Sequence, residues 1–276
     1  KKYLLKLLMK NLKRKLRNAS INLIGKYRGI VENNRNSRII VFHEIPEKGL
    51  FKSRLIWLKE KYNILSFEEL NNHSIAKYKK QSISISFDDG FSCWHEIAAP
   101  VLAELKIPAT FFICSGILNK NKSIRTNFIK QNLNRTKQSL TAISKEQVKD
   151  ISREKLFNIG GHTINHIDLG NPKYIKIMKD EIYNDQQELS EIIGKKVKYF
   201  AYPRGRIKNL SKKSFELIKN SPYEYAFTTI PAFFSRETNP YLIPRDSMEF
   251  SDSLITWENW LNGGYFSRKV YAHRLK

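Results

Sequence analysis

The chain has 276 residues, 41% of them apolar, with 16 Phe, 13 Tyr and 4 Trp, which is enough for one domain of α/β-barrel size or two small ones. Its 49 Lys and Arg against 26 Asp and Glu leave a net charge of +23. Such a field favours anionic partners (phospholipid, nucleic acid, phosphate-bearing lipid carriers, acidic glycans) without choosing among them. No apolar run approaches the roughly 18–20 residues of a membrane span. The cysteines, Cys93 and Cys114, lie on separate elements without metal-like spacing, which argues against a disulfide framework and suits a reducing compartment.

Residues 1–17 carry a strong amphipathic pattern. At 100° per residue, Leu4, Leu5, Leu8, Met9, Leu12 and Leu16 fall in one arc and Lys2, Lys6, Lys10, Lys13 and Arg17 in another; the first acidic residue is Glu32. This is the pattern of a helix lying in an anionic membrane surface, where each nearby Lys or Arg adds roughly 1 kcal/mol. The alternative is a terminal helix docked on its own domain or on another subunit. A cleavable signal peptide fits poorly, because Lys6 and Lys10 interrupt the apolar stretch and no small-x-small site follows. The expected location is therefore cytoplasmic, peripheral on the inner face of the cell membrane, with export as the alternative. Residues 1–37 read as a basic amphipathic segment and 38–276 as a single domain, without internal repeats or a low-complexity linker.

From Arg38 onward short apolar runs alternate with amphipathic ones. Strands are expected at Ile39–Phe42, Ile83–Phe87, Thr110–Ile113, Phe157–Ile159, Tyr199–Tyr202 and Tyr225–Thr228, with a further short one at Asn63–Leu65. Helices are expected at Phe51–Lys61, His95–Leu105, Lys145–Lys155, Tyr174–Ile193 and Ser211–Asn220. Six or seven strand–helix units predict a parallel sheet closed into a barrel. Asn119–Ser139 is polar, basic and patternless, and reads as a surface insertion, either disordered or lining a binding face. Gln81–Phe87 alternates polar and apolar residues, so it is expected to be a strand with one buried face.

That strand ends in Asp88-Asp89-Gly90. Adjacent carboxylates repel; a metal ligated by one leaves the other available as a base, whereas a plain solvated turn explains the run without chemistry. His162-Thr163-Ile164-Asn165-His166 follows the strand at Phe157–Ile159 through Gly160-Gly161. A four-residue spacing puts both imidazoles on one side if the segment is a helical turn, which suits two-histidine metal binding. The bland reading is a pair of hydrogen-bonded loop histidines. With a carboxylate from another strand end, the set becomes two histidines and one carboxylate with open positions for water.

Ser86-Phe87-Asp88-Asp89-Gly90, His162-Thr163-Ile164-Asn165-His166 and Phe200-Ala201-Tyr202-Pro203-Arg204-Gly205 stand in an order and spacing that resembles the polysaccharide deacetylases. This is the NodB-homology family, carbohydrate esterase family 4. Pro108–Phe112 and Asn158–His162 agree with it too, and the likeness runs over residues 38–250. It implies a deformed (β/α) barrel and hydrolysis of N-acetyl, sometimes O-acetyl, groups on sugars. By position it implies that Asp89, His162 and His166 hold a divalent metal, usually zinc. Asp88 would be the general base, with the backbone N–H of Tyr202 stabilising the oxyanion.

Two departures matter. Ala201 stands where the third motif usually carries an orienting arginine, and no late Leu-x-His motif supplies the general acid; His273 sits in a basic tail. Both gaps resemble a branch of exopolysaccharide deacetylases in which an early aromatic–His motif supplies the acid and a later Pro-Arg the arginine. Phe42-His43-Glu44 and Pro244-Arg245 match these, so the resemblance assigns His43 as general acid and Arg245 as the orienting arginine. His43 as a strand cap and Arg245 paired with surface carboxylates are the alternatives. Pro203 and Arg204 are expected to touch substrate. His95 and Trp94 are expected to pack and His73 to be solvated.

The expected function is a metal-dependent N-deacetylase acting on an amino sugar in a bacterial surface glycan or its lipid-linked precursor, at an anionic membrane surface. Alternatives are an O-acetyl esterase, a deformylase, or a non-catalytic glycan- or membrane-binding protein of the same fold. No nucleic-acid motif accompanies the charge, so nucleic acid is not an expected partner.

Overall fold

A computed structural model describes residues 2–31, 37–72, 80–118, 121–135 and 140–264. The alternating run at 82–87 forms the middle of an all-parallel sheet as strand β3 (Ser82–Asp89). Its neighbours are β1 (Arg38–Phe42) and β4 (Ala109–Ile113). Beyond β4 come β5 (Phe157–Gly161), β6 (Tyr199–Ala201) and β7 (Tyr225–Phe227); beyond β1 comes β8 (Asp246–Ser247). The short β2 (Asn63–Ile64) pairs with the start of β3.

Parallel strands need long crossovers, and helices supply them: α2 (Lys48–Lys61), α3 (Phe67–Asn72), α4 (Ala99–Glu104), α5 (Lys122–Gln131), α6 (Lys145–Arg153), α7 (Met178–Ile193) and α8 (Lys212–Lys219). A parallel bridge from Phe227 to Ile243 brings the segment entering β8 onto β7, and β8 pairs with β1. The two ends of the sheet thus meet through residues 243–247. The result is the deformed (β/α) barrel expected from the sequence.

The core has two layers. Ile83, Ile85 and Phe87 pack outward with Phe51, Trp94 and Phe111 beneath the helices. Ile39, Phe112, Tyr199, Ala201, Phe227 and Phe234 fill the barrel interior with Phe67. The serines alternating with these outward residues are buried as well. The single buried face expected of this strand is corrected: its polar side turns into the barrel, where Ser86 Oγ donates to Ile40 O at 2.9 Å. The neighbouring strands β1 and β8 are tied by a buried ion pair, Arg38 Nη1 lying 3.0 Å from both carboxylate oxygens of Asp246.

An N-terminal helix, α1 (Lys2–Val31), is present and packs against α9 (Leu254–Asn259) and the turn at 260–264. Arg17 pairs with Asp252 at 2.8 Å and Asn18 donates to the same carboxylate at 2.9 Å. Contact is close at Gly25, where a Cβ would lie 2.1 Å from Asn259 O. Three short elements, α3, α9 and β8, were not expected from sequence. Asn119–Ser139 is not patternless: it holds α5, capped by Asn121 and anchored by buried Phe128, Ile129 and Leu133. His73 and His273 lie outside the described residues.

Candidate active site

Every strand is parallel, so all C-terminal ends share one rim, where α/β barrels place their chemistry. Successive strand residues face opposite ways, and this separates the two carboxylates that end β3. Asp88 follows Ser86 on the barrel side and is cross-paired with Phe112. There Arg245 grips it with two hydrogen bonds, Nη1 to Oδ1 at 2.7 Å and Nη2 to Oδ2 at 2.6 Å. The guanidinium is fully buried, donates also to Thr228 O (3.0 Å) and Ser86 Oγ (3.1 Å), and lies 5.0 Å over the Phe112 ring. Burial alone would raise the Asp88 carboxyl, but the Arg245 charge and hydrogen bonds, with His162, hold it below the usual carboxylate range.

Asp89 faces the histidines. Its Oδ1 lies 3.7 Å from His162 Nε2 and 3.6 Å from His166 Nε2. Residues 162–166 are not a helical turn, which corrects the expectation from their spacing: Thr163 (φ 64°) and His166 (φ 53°) are left-handed, and the chain folds both rings inward to centroids 5.0 Å apart. Asp89 (φ 98°) and Arg204 (φ 63°) are left-handed too, so unfavourable backbone clusters at this rim, as it does where a site over-determines its geometry. Burial pushes the His166 imidazole down to about 4 despite Asp89, leaving it neutral at pH 7. Burial would also lower His162, but the charges of Asp88 and Asp89 hold it above its ordinary value.

The histidine loop is braced from α7. Asp185 accepts from the backbone N–H groups of His162 and Ser115, both at 2.9 Å, and from the Tyr223 hydroxyl at 3.1 Å. One turn earlier Glu181 accepts from Asn165 N at 2.8 Å and from its side-chain amide at 2.6 Å. Gly161 permits the close approach, since a Cβ there would stand 1.8 Å from the Tyr223 hydroxyl. His162 Nδ1 donates to Ala201 O at 2.7 Å, which orients the ring with Nε2 toward Asp89. None of Asp185, Glu181 and Tyr223 was picked out from sequence. The available signal was an acidic pair at i, i+4 on the buried face of α7, among Met178, Ile182 and Leu189.

The remaining expected residues are placed as follows. His43 is half-buried just past β1; the register that pairs Phe42 with Phe87 sets it beside Asp88, within electrostatic reach of both Asp88 and Asp89. Trp94 donates to His43 O at 2.8 Å, so it fixes that turn as well as packing. Arg245 has Asp88 as its partner, not a surface carboxylate. The Tyr202 backbone N–H donates to Phe227 O at 3.0 Å, and the Tyr202 hydroxyl to Tyr241 O at 3.2 Å. The expectation of an open Tyr202 amide facing the oxyanion is corrected accordingly: pairing along β6 and β7 has taken that donor. Pro203 is buried, and Arg204 is exposed on the rim near enough to act on His166. His95 pairs with Asp150 at 3.4 Å on the outer face. Arg135, from the segment that follows α5, reaches the rim with Nη2 3.9 Å from Asp89 Oδ2.

The Asp89, His162 and His166 ligand atoms lie within 4.8 Å of one another. Nε2–Oδ1 separations of 3.6 and 3.7 Å are long for hydrogen bonds. They are close to the spacing of about 3.4 Å between ligands that share a tetrahedral cation at about 2.1 Å. One oxygen and two imidazole nitrogens, one ring oriented by a carbonyl, fit a divalent metal centre with open positions.

A family model for polysaccharide deacetylases matches residues 76–226, and the chain belongs to that family. Asp88, Asp89, His162, His166 and Tyr202 fall inside the match; His43 and Arg245 fall outside it. Poly-beta-1,6-N-acetyl-D-glucosamine N-deacetylases of Staphylococcus aureus (strain MRSA252) and Staphylococcus epidermidis (strain ATCC 35984) are 28% and 27% identical to it over 204 residues. Those matches take in 71% of this chain, which spans 64% and 65% of the two relatives' lengths. Among solved structures, IcaB from Ammonifex degensii has the same fold at a TM-score of 0.66 and 19% identity, over 83% of this chain and 98% of that one. The Streptococcus pyogenes deacetylase PplD in complex with acetate follows at 0.64 and 19%, over 82% and 98%.

Proposed function

We propose that this chain is a metal-dependent hydrolase that removes N-acetyl groups from an amino-sugar glycan or its lipid-linked precursor. The observation that carries the reading is the division of Asp88 and Asp89, one carboxylate clamped by Arg245 and the other facing His162 and His166. The names of the staphylococcal relatives support a glycan of N-acetylglucosamine as substrate.

Asp89, His162 and His166 would hold the divalent ion, zinc being the choice that this oxygen and nitrogen set favours. When bound, such an ion polarises an acyl oxygen and lowers the pKa of water. The rest of the chemistry belongs to side chains. Asp88, kept ionised and fixed in direction by Arg245, takes the proton of the attacking water. His43, on the neighbouring strand end, gives a proton to the departing amine, which leaves poorly without one. Arg204 and Arg135 stand at the exposed rim, where a sugar chain would enter, and Pro203 shapes the wall beside them.

Acetate release by the purified, metal-loaded chain tests the reading. N-acetylglucosamine oligomers are expected to yield acetate and free amine, with O-acetylated and N-formylated sugars turned over more slowly. Hydrolysis confined to the O-acetyl or N-formyl substrates would overturn it.

A further inference from the structure

Helix α1 presents two opposite faces. One is held by the rest of the chain: Arg14 donates to Ser251 at 3.3 Å, Arg17 and Asn18 bind Asp252, Ile21 is fully buried, and Gly25 abuts Asn259. On the other, Met9, Leu12, Leu16, Leu23 and Tyr27 are 51%, 58%, 63%, 75% and 68% exposed. At 100° per residue these five lie within about 60° of one another, directly across from the docked face. Exposed Lys13 flanks the stripe on one side and exposed Lys15 and Lys26 on the other. No Asp or Glu occurs before Glu32.

An apolar stripe of this length on a helix already anchored by its polar side calls for an occupant of the outward face. We infer that it is an anionic lipid surface, with the stripe in the headgroup–acyl boundary and Lys13, Lys15 and Lys26 reaching phosphates on either side. Charge decides between this and a second copy of the chain. Pairing two such helices would set lysine rows beside lysine rows with no acidic side chain between them, whereas a negative bilayer neutralises both rows. No helix among the described residues is long and apolar enough to cross a membrane; α1 has the layout of one that lies along it.

The docked face also sets where the bilayer stands. Ser251 and Asp252 follow the C-terminal end of β8, whereas Leu261, in the turn that meets the second half of α1, bonds Arg38 at the start of β1, so α1 runs along the flank of the barrel from the rim that carries Asp88 and Asp89 toward the opposite end. The lipid contact does not rest on the deacetylase reading.

The test is co-sedimentation of the whole chain with vesicles of phosphatidylcholine alone and of phosphatidylcholine with phosphatidylglycerol. Acetate release from a soluble N-acetylglucosamine oligomer is measured on the same preparations. Binding is expected to the anionic vesicles, to weaken with added salt, and to fall at least tenfold in Leu16→Asp/Leu23→Asp and in Lys13→Gln/Lys15→Gln/Lys26→Gln. Acetate release by these variants is expected to match the parent. No binding to anionic vesicles, or binding undiminished in the leucine variant, would overturn the inference. So would a dimer in solution that the leucine variant dissolves, since the stripe would then belong to a second copy. Vesicle binding without acetate release from the parent chain would uphold the lipid contact and remove the deacetylase reading alone.

Discussion

Arg245 holds Asp88 through two parallel hydrogen bonds of 2.7 and 2.6 Å, with both side chains excluded from solvent. A planar fork makes such a pair; an ammonium cannot. Arg245→Lys keeps the charge and loses the direction, so acetate release is expected to fall by about 10²-fold, within the range of a general base. Unchanged kcat/KM in Arg245→Lys would show that the fork does not orient Asp88.

His43 is assigned to the leaving group, so its removal is expected to matter in proportion to how poor that group is. His43→Gln is expected to lower release from an N-acetyl sugar by about 10²–10⁴-fold. An activated ester such as 4-nitrophenyl acetate, whose phenolate needs no proton, is expected to lose less than tenfold. Equal losses on both substrates would point to a structural role for His43.

Asp185 touches no reacting atom; it positions the histidine loop by accepting from His162 N, Ser115 N and the Tyr223 hydroxyl. Asp185→Asn turns one acceptor into a donor facing an N–H, at a cost of about 1–3 kcal/mol. A lower melting temperature is expected, together with metal affinity reduced by about 10–100-fold, as for other partners that orient metal ligands. Isothermal titration with zinc checks the second effect, and Asp185→Glu is not expected to restore it, because the enclosure beside Gly161 has no room for another methylene.

The strand–helix alternation, helices α2, α4, α6, α7 and α8, and the Asp-Asp-Gly and His-x-x-x-His segments were legible because each is a local pattern. The Arg245–Asp88 pair joins residues 157 positions apart, and only likeness to a family pointed to it in the sequence. β8 spans two residues and has no periodicity to find; it is made by closure of the sheet. Which carbonyl takes the Tyr202 N–H depends on strand register, and the histidine loop departs from a helical turn because Glu181 and Asp185 pull it onto α7. Arg135 arrives from a segment whose sequence resembles a solvated loop, and tertiary packing of Phe128, Ile129 and Leu133 brings it to the rim.

Burial pushes the half-buried Cys93 thiol up to about 11, although Ile45 N–H donates to its sulfur at 3.4 Å. A raised thiol pKa keeps the unreactive neutral form in place until the pH climbs past it, so roughly a thousandth of Cys93 is thiolate at pH 8. Cys114 is fully buried. Native protein is expected to react slowly with iodoacetamide at pH 8, faster as the pH nears 11, and at both cysteines once unfolded. Rapid alkylation of Cys93 at pH 8 would contradict the environment described for it.

The most direct measurement of the central claim is bound metal and acetate release, determined together for the parent chain, Asp88→Asn and His162→Ala. The parent is expected to carry one divalent ion per chain and to release acetate. Asp88→Asn is expected to keep the ion and lose acetate release, and His162→Ala to lose both. An Asp88→Asn chain that still releases acetate at the parent rate, or a His162→Ala chain that keeps its ion, would contradict the division of labour between Asp88 and Asp89.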